Sequence, residues 1–485
     1  MMPASDAPRT GTAARSASDS TDGRTPSLTP RVGLDKLATY PFHVATWVDD
    51  AGYPVSVAVQ ATIHPTDLTA TFDAPAGMDV PTVPTDRVIS LTGSHIRPQP
   101  GYGYDERRHV TVWGPASRNG DLLTMTGRRA WGWDEAEVPF FEYSERSVGQ
   151  SRRYFDALSA ERGTPVKPKL SFGFLTLRTT RLPFLTATII PVVLGILIAA
   201  SHGSFDLVAA VLTIVGASFV QLGLNVANDV FDTVQGADDA NVTPTQFSGG
   251  SRVIQYGLVS LRQMATLATV FYVLAGIIGL VLLATHGSTA LLVIGIAGFI
   301  VSLGYTAPPL KFVYRGLGEL AVAIGFGPLM LLGAYVVQTG GTLAWEPFVA
   351  SIPIALLVAL ILYVNEIPDR RGDARVGKRT LPVRFSETTV ITGYNVAAAA
   401  AFIALVAGVV AGILPIPALA MLLTIPMAIR VSRGLRPNYD NPYGLMAIMG
   451  VNVQLHMRAG LLLLAAYLLV LIVGAVAPGA SLFLG

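Results

Sequence analysis

From residue 183 onward the chain repeats one pattern. Apolar stretches recur near 183–200, 207–228, 263–284, 289–306, 317–338, 347–366, 389–410, 415–431 and 459–477. Each is close to the ~20 residues an α-helix needs to cross ~30 Å of hydrocarbon. Inside hydrocarbon every backbone N–H and C=O must find its partner within the segment. The pattern therefore predicts an all-α polytopic membrane protein, a bundle of nine transmembrane helices over residues 178–485. The 415–431 stretch is the shortest, and 441–457 reads as an interfacial helix.

The charges divide the chain. Only 14 % of residues are charged, against roughly 25 % in a soluble domain. Residues 1–177 hold 18 of the 34 Lys and Arg and 20 of the 32 Asp and Glu, so the front part belongs in water and the rest in lipid. The absence of cysteine excludes disulfides, thiolate metal sites and a thiol nucleophile. A net charge of +2 gives no footprint for nucleic acid.

Residues 1–30 are Ser-, Thr-, Pro- and Ala-rich with almost no large apolar side chain, and read as a disordered tail rather than a secretory signal. Residues 31–165 read as a β-rich domain. Strands are expected at FHVATWV (42–48), YPVSVAVQATI (53–63), DLTATF (67–72), RVISLTG (87–93), HVTVWG (109–114) and LLTMTG (122–127). Asp49-Asp50-Ala51-Gly52 supplies a turn, and Ser147 to Leu158 a closing helix. Short strands with turn chemistry predict a small barrel or sandwich. The opening hairpin and RRHVTVWGPA (107–116) resemble the flavin-binding split barrels of the pyridoxamine-phosphate-oxidase type. That resemblance implies FMN as a cofactor; the alternative is a barrel that binds nothing and serves for docking. Proline-rich TPVKPK (164–169) opens a linker over 166–177.

Orientation follows from the basic residues. The connections 201–206, 285–288, 339–346 and 411–414 and the tail 478–485 contain no Lys or Arg. All 16 basic residues of the membrane part fall at the opposite ends. The positive-inside rule then puts the β domain and that rim in the cytoplasm and the C-terminus outside a cell (inner) membrane.

Seven of the twelve acidic residues of the membrane part fall in two clusters. In NVANDVFDTVQGADD (225–239), Asn225, Asp229 and Asp232 stand at i, i+4 and i+7. In NEIPDRRGD (365–373), Asn365, Asp369 and Asp373 stand at i, i+4 and i+8. On a continuous helix each set lies along one face, although Pro368 is expected to disturb the second. Carboxylates at a membrane boundary are costly unless they face a cavity or hold a partner. An all-oxygen set without Cys or His matches Mg²⁺, which is commonly held by a few carboxylates together with phosphate oxygens. Arg252, Arg370, Arg371, Arg375, Lys378 and Arg379 lie close in sequence, which suits a magnesium-bridged diphosphate.

NDVFD (228–232) matches the NDxxD motif of the UbiA superfamily of intramembrane aromatic prenyltransferases. NxxND followed by FDxxxGAD (225–238), GGSRVIQYGLVS (249–260), GYTAPPLKFVYRGLGE (304–319) and NEIPDRRGDARVGKRTLPVRF (365–385) resemble its menaquinone branch, the dihydroxynaphthoate polyprenyltransferases. The resemblance covers about 300 residues. It implies transfer of a polyprenyl group from an allylic diphosphate to an aromatic acceptor, 1,4-dihydroxy-2-naphthoate in that branch. Asp229, Asp232, Asp238, Asp369 and Asp373 would hold Mg²⁺ on the diphosphate, with Asn225, Asn228 and Asn365 in support. Arg252, Lys311, Lys378 and Arg379 would neutralise pyrophosphate. Tyr305 and Tyr314 would face the allylic cation, or simply anchor helix ends at the interface. Arg181 or Arg178 would bind an acidic acceptor, or serve as plain topogenic charge. One departure stands out: Glu366 follows Asn365 where a second Asn is common in the branch. Other acceptors (hydroxybenzoate, other phenols, a porphyrin-type ring, a glycerol phosphate) and prenyl diphosphate cyclisation stay open. An ion-coupled transporter is disfavoured, because the charges gather at one rim instead of mid-bilayer.

Overall fold

A computed structural model describes residues 27–48, 53–73, 88–98, 104–168, 170–477 and 479–484. The tail up to residue 26 and the Asp49–Gly52 turn lie outside the described residues. The described residues form two compact units, one up to Val166 and one from Lys167 onward.

The first unit is an antiparallel sheet. Its strands are β1 (Ser27–Leu28), β2 (His43–Val48), β3 (Pro54–Val59), β4 (Ala61–His64), β5 (Thr69–Asp73), β6 (Val88–Pro98), β7 (Tyr104–Asn119), β8 (Leu122–Thr126) and β9 (Arg129–Asp134). They pair in the order β3-β2-β6-β7-β8-β5-β4, with β9 on β7 and β1 on β9. Alternation decides which face is buried. Ala70 and Phe72, Leu123 and Met125, and Val110 and Val112 point inward onto Leu34 and Leu37 of α1 (Pro30–Leu37). Thr29 caps α1 by accepting a hydrogen bond from the Val32 N–H, and Pro30 suits the first turn. Gly33 lets α1 lie flat on the sheet, since a Cβ there would sit 2.2 Å from that of Ala130.

Several expectations change here. The run 53–63 is two strands that turn a corner at Gln60, where β3 leaves β2 and β4 joins β5. Residues 27–30 are not tail, because β1 pairs with β9. The closing helix, α2 (Phe140–Arg162), starts seven residues earlier than read. Strand β9 carries Trp131-Gly132-Trp133 between charged ends, a composition without the clean alternation that marks a half-buried strand.

The second unit is helical. A short helix, α3 (Phe172–Thr180), occupies residues read as linker; Ser171 caps it. There follow α4 (Thr186–Ser201), α5 (Leu207–Val234), the single turn α6 (Ala237–Ala240), α7 (Leu261–His286), α8 (Thr289–Gly304), α9 (Gly318–Gln338), α10 (Trp345–Arg375), α11 (Glu387–Val410), α12 (Ile416–Asn438) and α13 (Pro442–Val476). Among the described residues seven helices are long and apolar enough to cross a membrane, not nine. α4 and α8 have 16 residues each, about 24 Å of helix, short of the ~30 Å of hydrocarbon. The interfacial segment expected at 441–457 is the first half of the continuous α13; nothing in it breaks the helix. α12 opens as a 3₁₀ stretch over Ile416–Thr424 and becomes α-helical at Ile425, with Pro417 and Pro426 each withholding an N–H.

The core of this unit gathers around α10, whose Ile354, Leu357, Val364 and Ile367 meet Leu331 and Tyr335 of α9, Tyr394 and Leu405 of α11 and Tyr467 of α13. α9 passes through a π turn at Gly325–Leu329 around Pro328. There Gly327 approaches α10 so closely that a Cβ would fall 2.4 Å from that of Ala355. Pro368 does not interrupt α10, which runs to Arg375. The outward faces of α7 and α8 expose Val273, Ile277, Leu280, Val293, Ile296 and Phe299, as a surface facing hydrocarbon does.

Candidate functional site

Both acidic clusters come to one chamber. α5 brings Asn225, Asn228 and Asp232, α6 brings Asp238, and α10 brings Asn365, Asp369 and Asp373; all line a cavity of about 180 Å³, with Arg181, Tyr305 and Lys378. A second cavity of about 570 Å³, walled by apolar side chains of α5, α7, α8 and α9, lies beside it. Gln221, Leu224, Tyr305, Val322 and Phe326 line both. A polar head space and an apolar tail space therefore share a wall.

Helix geometry explains the first stripe. Because α5 continues unbroken to Val234, positions 225, 228 and 232 fall on one side of it. Gly236, at φ +79°, turns the chain so that α6 delivers Asp238 beside them. The loop 241–252 then folds back across. Asn241 Nδ2 donates to Asp369 (2.8 Å) and the Gly249 N–H to its other oxygen (2.9 Å). Gly250 has φ +76°, and a Cβ there would lie 2.8 Å from Asp238 Oδ1, so only glycine lets this backbone approach the carboxylate.

Each carboxylate has a distinct setting. Asp232 accepts from the Tyr314 hydroxyl (2.8 Å) and from Lys378 Nζ (3.3 Å). Lys378 also stands 3.6 Å from Asp373. Burial acts to lower the Lys378 pKa, but the charges of Asp232 and Asp373 prevail and hold the ammonium well above its usual range. Asp238 is pushed well above the carboxylate range by burial and then by Asp232 and Asp229, with Arg252 and Arg181 opposing. Its Oδ2 is buried without a hydrogen-bond partner, as is Asn365 Oδ1. Thr306 donates to Asn228 (2.8 Å), and Asn225 donates to the Thr180 carbonyl (3.0 Å).

Not every residue singled out in the sequence reaches the chamber. Asp229 is 2 % exposed and lies behind the wall, paired with Arg181 and accepting from the Ser251 N–H (3.2 Å). Arg252 is buried with its guanidinium on the Asp238 carbonyl oxygen. Lys311 stands over the Tyr314 ring, 5.5 Å from its centroid, and Tyr314 holds Asp232 from outside the chamber. Arg379 is exposed and attaches to Tyr314 only through its backbone N–H. Arg178 donates to the Ser251 carbonyl (2.8 Å). In the helical unit the described non-glycine residues with positive φ are Arg181, Arg252 and Lys311, three cations held in a sparsely populated backbone region around the same site.

Sequence reasoning missed the contributions of Asn241, Gly249, Ser251 and Thr306. The one signal for them was the Ser248-Gly249-Gly250-Ser251 run, whose glycines permit positive φ next to a charged group.

The donors suit a hard cation shared with a ligand. They are all oxygens, and two buried ones lack partners. Among the described residues no three His, Asp or Glu side chains converge on one ion-sized point. Mg²⁺ fits such a wall when phosphate oxygens complete its shell, because it keeps near-ideal octahedral geometry and few protein ligands.

The sequence profile of the UbiA prenyltransferase family matches residues 188–442, the stretch that contains both acidic stripes and the folded-back loop. The chain belongs to the UbiA prenyltransferase family. A 1,4-dihydroxy-2-naphthoate octaprenyltransferase of Bacillus subtilis is 27 % identical over 62 % of this chain and 94 % of its own length. A 2-carboxy-1,4-naphthoquinone phytyltransferase of Synechocystis is 26 % identical over 60 % and 92 %. A UbiA prenyltransferase domain-containing protein 1 homolog of Drosophila melanogaster is 30 % identical over 57 % and 73 %. A UbiA homolog from Archaeoglobus fulgidus, solved bound to GPP and Mg²⁺, is 15 % identical, with a TM-score of 0.44 over 60 % of this chain and 99 % of that one.

Proposed function

We propose that this UbiA-family protein transfers a polyprenyl group from an allylic diphosphate to an aromatic acceptor, 1,4-dihydroxy-2-naphthoate in menaquinone biosynthesis. The observation that carries the reading is the meeting of Asp232, Asp238, Asp369 and Asp373 from distant segments in a chamber that shares a wall with an apolar cavity. Relatives named for dihydroxynaphthoate prenylation support the acceptor. The diphosphate head would lie among the carboxylates and the tail in the apolar cavity.

Asp232, Asp238, Asp369 and Asp373 would hold Mg²⁺, with Asn225, Asn228 and Asn365 supplying neutral oxygens; when bound, the ion draws charge from the departing diphosphate. Lys378 and Arg181, the cations on the chamber wall, take up negative charge as the carbon–oxygen bond breaks. Asp229 keeps Arg181 in place, and Tyr314 and Lys378 orient Asp232. Tyr305 offers a ring face to the allylic cation at the junction of the two cavities. The apolar wall keeps water from quenching that cation before the acceptor ring attacks.

This reading carries the finer topology with it: nine spans, with α4 and α8 among them, and the site rim and front unit in the cytoplasm. It assigns FMN to the front unit through the split-barrel resemblance, which a yellow chromophore in the purified full-length protein tests.

The decisive experiment supplies membranes containing the protein with a labelled polyprenyl diphosphate and a panel of aromatic acceptors. Prenylated dihydroxynaphthoate should form with Mg²⁺, stop with EDTA and return when Mg²⁺ is restored. Product formation indifferent to EDTA would overturn the metal assignment. Ion uptake without pyrophosphate release would overturn the enzyme.

A further inference from the structure

Glu366 has no place in the diphosphate chemistry, yet it lines the chamber. It is 5 % exposed, and neither of its carboxyl oxygens has a hydrogen-bond partner. Glu319, at the start of α9, faces it within hydrogen-bonding reach. The facing pair can share one proton, which serves one oxygen of each and leaves the other Glu366 oxygen buried without a donor. The nearby cation, Lys378, is engaged by Asp232 and Asp373. A buried acceptor left without a donor is costly, so the missing donor belongs to whatever fills the chamber.

The candidates separate by chemistry. A diphosphate carries negative charge and no hydrogen to donate, so Glu366 repels it. A prenyl tail has no polar hydrogen, and the Mg²⁺ of the reading above would sit on the 365/369/373 stripe, turned away from Glu366 around the helix. A hydroxyl on the acceptor ring is the donor that remains. The position agrees: Glu366 is one residue past Asn365, about 100° around α10 from the 365/369/373 stripe. It also lies within charge reach of Tyr305, which lines both cavities. A ring there would meet the reacting end of the tail.

We propose that Glu366, backed by Glu319, accepts a hydrogen bond from a ring hydroxyl of the aromatic acceptor, and so both orients the ring and selects hydroxylated acceptors. The inference rests on the prenyl-transfer reading above. In the transfer, an electron pair of the ring forms the carbon–carbon bond to the allylic carbon. The carbon–oxygen bond to the diphosphate breaks, its pair leaving with pyrophosphate. Positive charge spreads from the ring to the hydroxyl oxygen, which tightens its hydrogen bond to Glu366. The ring regains aromaticity when the attacked carbon releases a proton or CO₂.

The test uses the full-length protein in lipid nanodiscs with Mg²⁺, a labelled polyprenyl diphosphate, 1,4-dihydroxy-2-naphthoate and its two mono-O-methyl ethers. Wild type should prefer the free dihydroxy acid over one of the ethers by about ten- to hundredfold in kcat/KM. Glu366→Gln should shrink that preference to about threefold or less, leaving the KM for diphosphate and the Mg²⁺ midpoint unchanged. Glu319→Gln should give an intermediate loss, and direct binding of the acid and its ethers should rank the same way without turnover. Undiminished selectivity in both variants, equal wild-type binding of the acid and both ethers, or a tenfold shift in the Mg²⁺ midpoint of Glu366→Gln would each overturn the proposal. Failure of wild type to release pyrophosphate with any phenolic acceptor would sink the prenyl-transfer reading instead.

Discussion

The two units treat charge in opposite ways. In the sheet unit Arg97 pairs with Asp105 (2.8 Å) and Glu106 (3.0 Å), and Lys36 with Glu137 (2.7 Å), with side chains from 34 % to 64 % exposed. Such pairs contribute about 0–1 kcal/mol, since water already solvates each partner. In the helical unit Lys378 and Asp232 meet with side chains 12 % and 6 % exposed, and Asp229 is buried under Arg181. Burying charge costs more than the pairing returns unless the geometry is excellent. A membrane protein that gathers its scarce charges into one buried chamber is spending stability on chemistry. These exposed pairs of the sheet decorate a fold, whereas the buried pairs around Lys378 and Arg181 build a site.

Four substitutions sharpen or break that contrast. Asp232→Asn should lower prenyl transfer by about a hundred- to a thousandfold, because it removes charge from the metal-facing wall and an anion from Lys378; activity within threefold of wild type would place the site elsewhere. Gly250→Ala should lower activity about tenfold and stability by about 1–2 kcal/mol, since the added Cβ meets both an unfavourable φ and Asp238 Oδ1 at 2.8 Å. Thermal melts with and without Mg²⁺ check both parts.

The third concerns His109, which packs between Trp131, Trp133 and Tyr143. Burial holds its imidazole below the ordinary range. The unfolded chain therefore takes up a proton first as pH falls below about 6.5, and the sheet unit loses stability from there down to the depressed folded pKa. Tryptophan fluorescence reports on that unit, since four of the five Trp lie in it, and His109→Phe should flatten the acid slope. The smallest effect is expected for Arg97→Ala, within about 0.5 kcal/mol by denaturant titration, because both of its partners remain solvated.

How far the sequence carried can be judged from particular residues. The strand at 42–48 and the helix beginning at 207 follow from local periodicity and were readable directly. The corner at Gln60 was not, because a strand that changes partners keeps the same composition on both sides of the bend. Asp232 and Asp369 were singled out as rare acids in an apolar context, and both line the chamber. Asp229 carried the same signal and is withdrawn behind the wall, since the deciding contact, Arg181, lies 48 positions away. Arg379 looked equivalent to its neighbour Lys378; one step along the backbone leaves Arg379 exposed and the Lys378 side chain only 12 % exposed.

Amino-acid order alone settled that residues beyond 183 form apolar helices, because run length and the need to satisfy backbone polar groups in lipid allow little else. It also settled the chemistry available, hard oxygen donors and cations without thiol or imidazole in either cluster. Only packing decided which of those groups share a chamber, how the 241–252 loop closes over Asp369, and that Glu319 meets Glu366. These are contacts between segments far apart in the chain, and their geometry is set by how helices seat against one another, which no local spacing encodes.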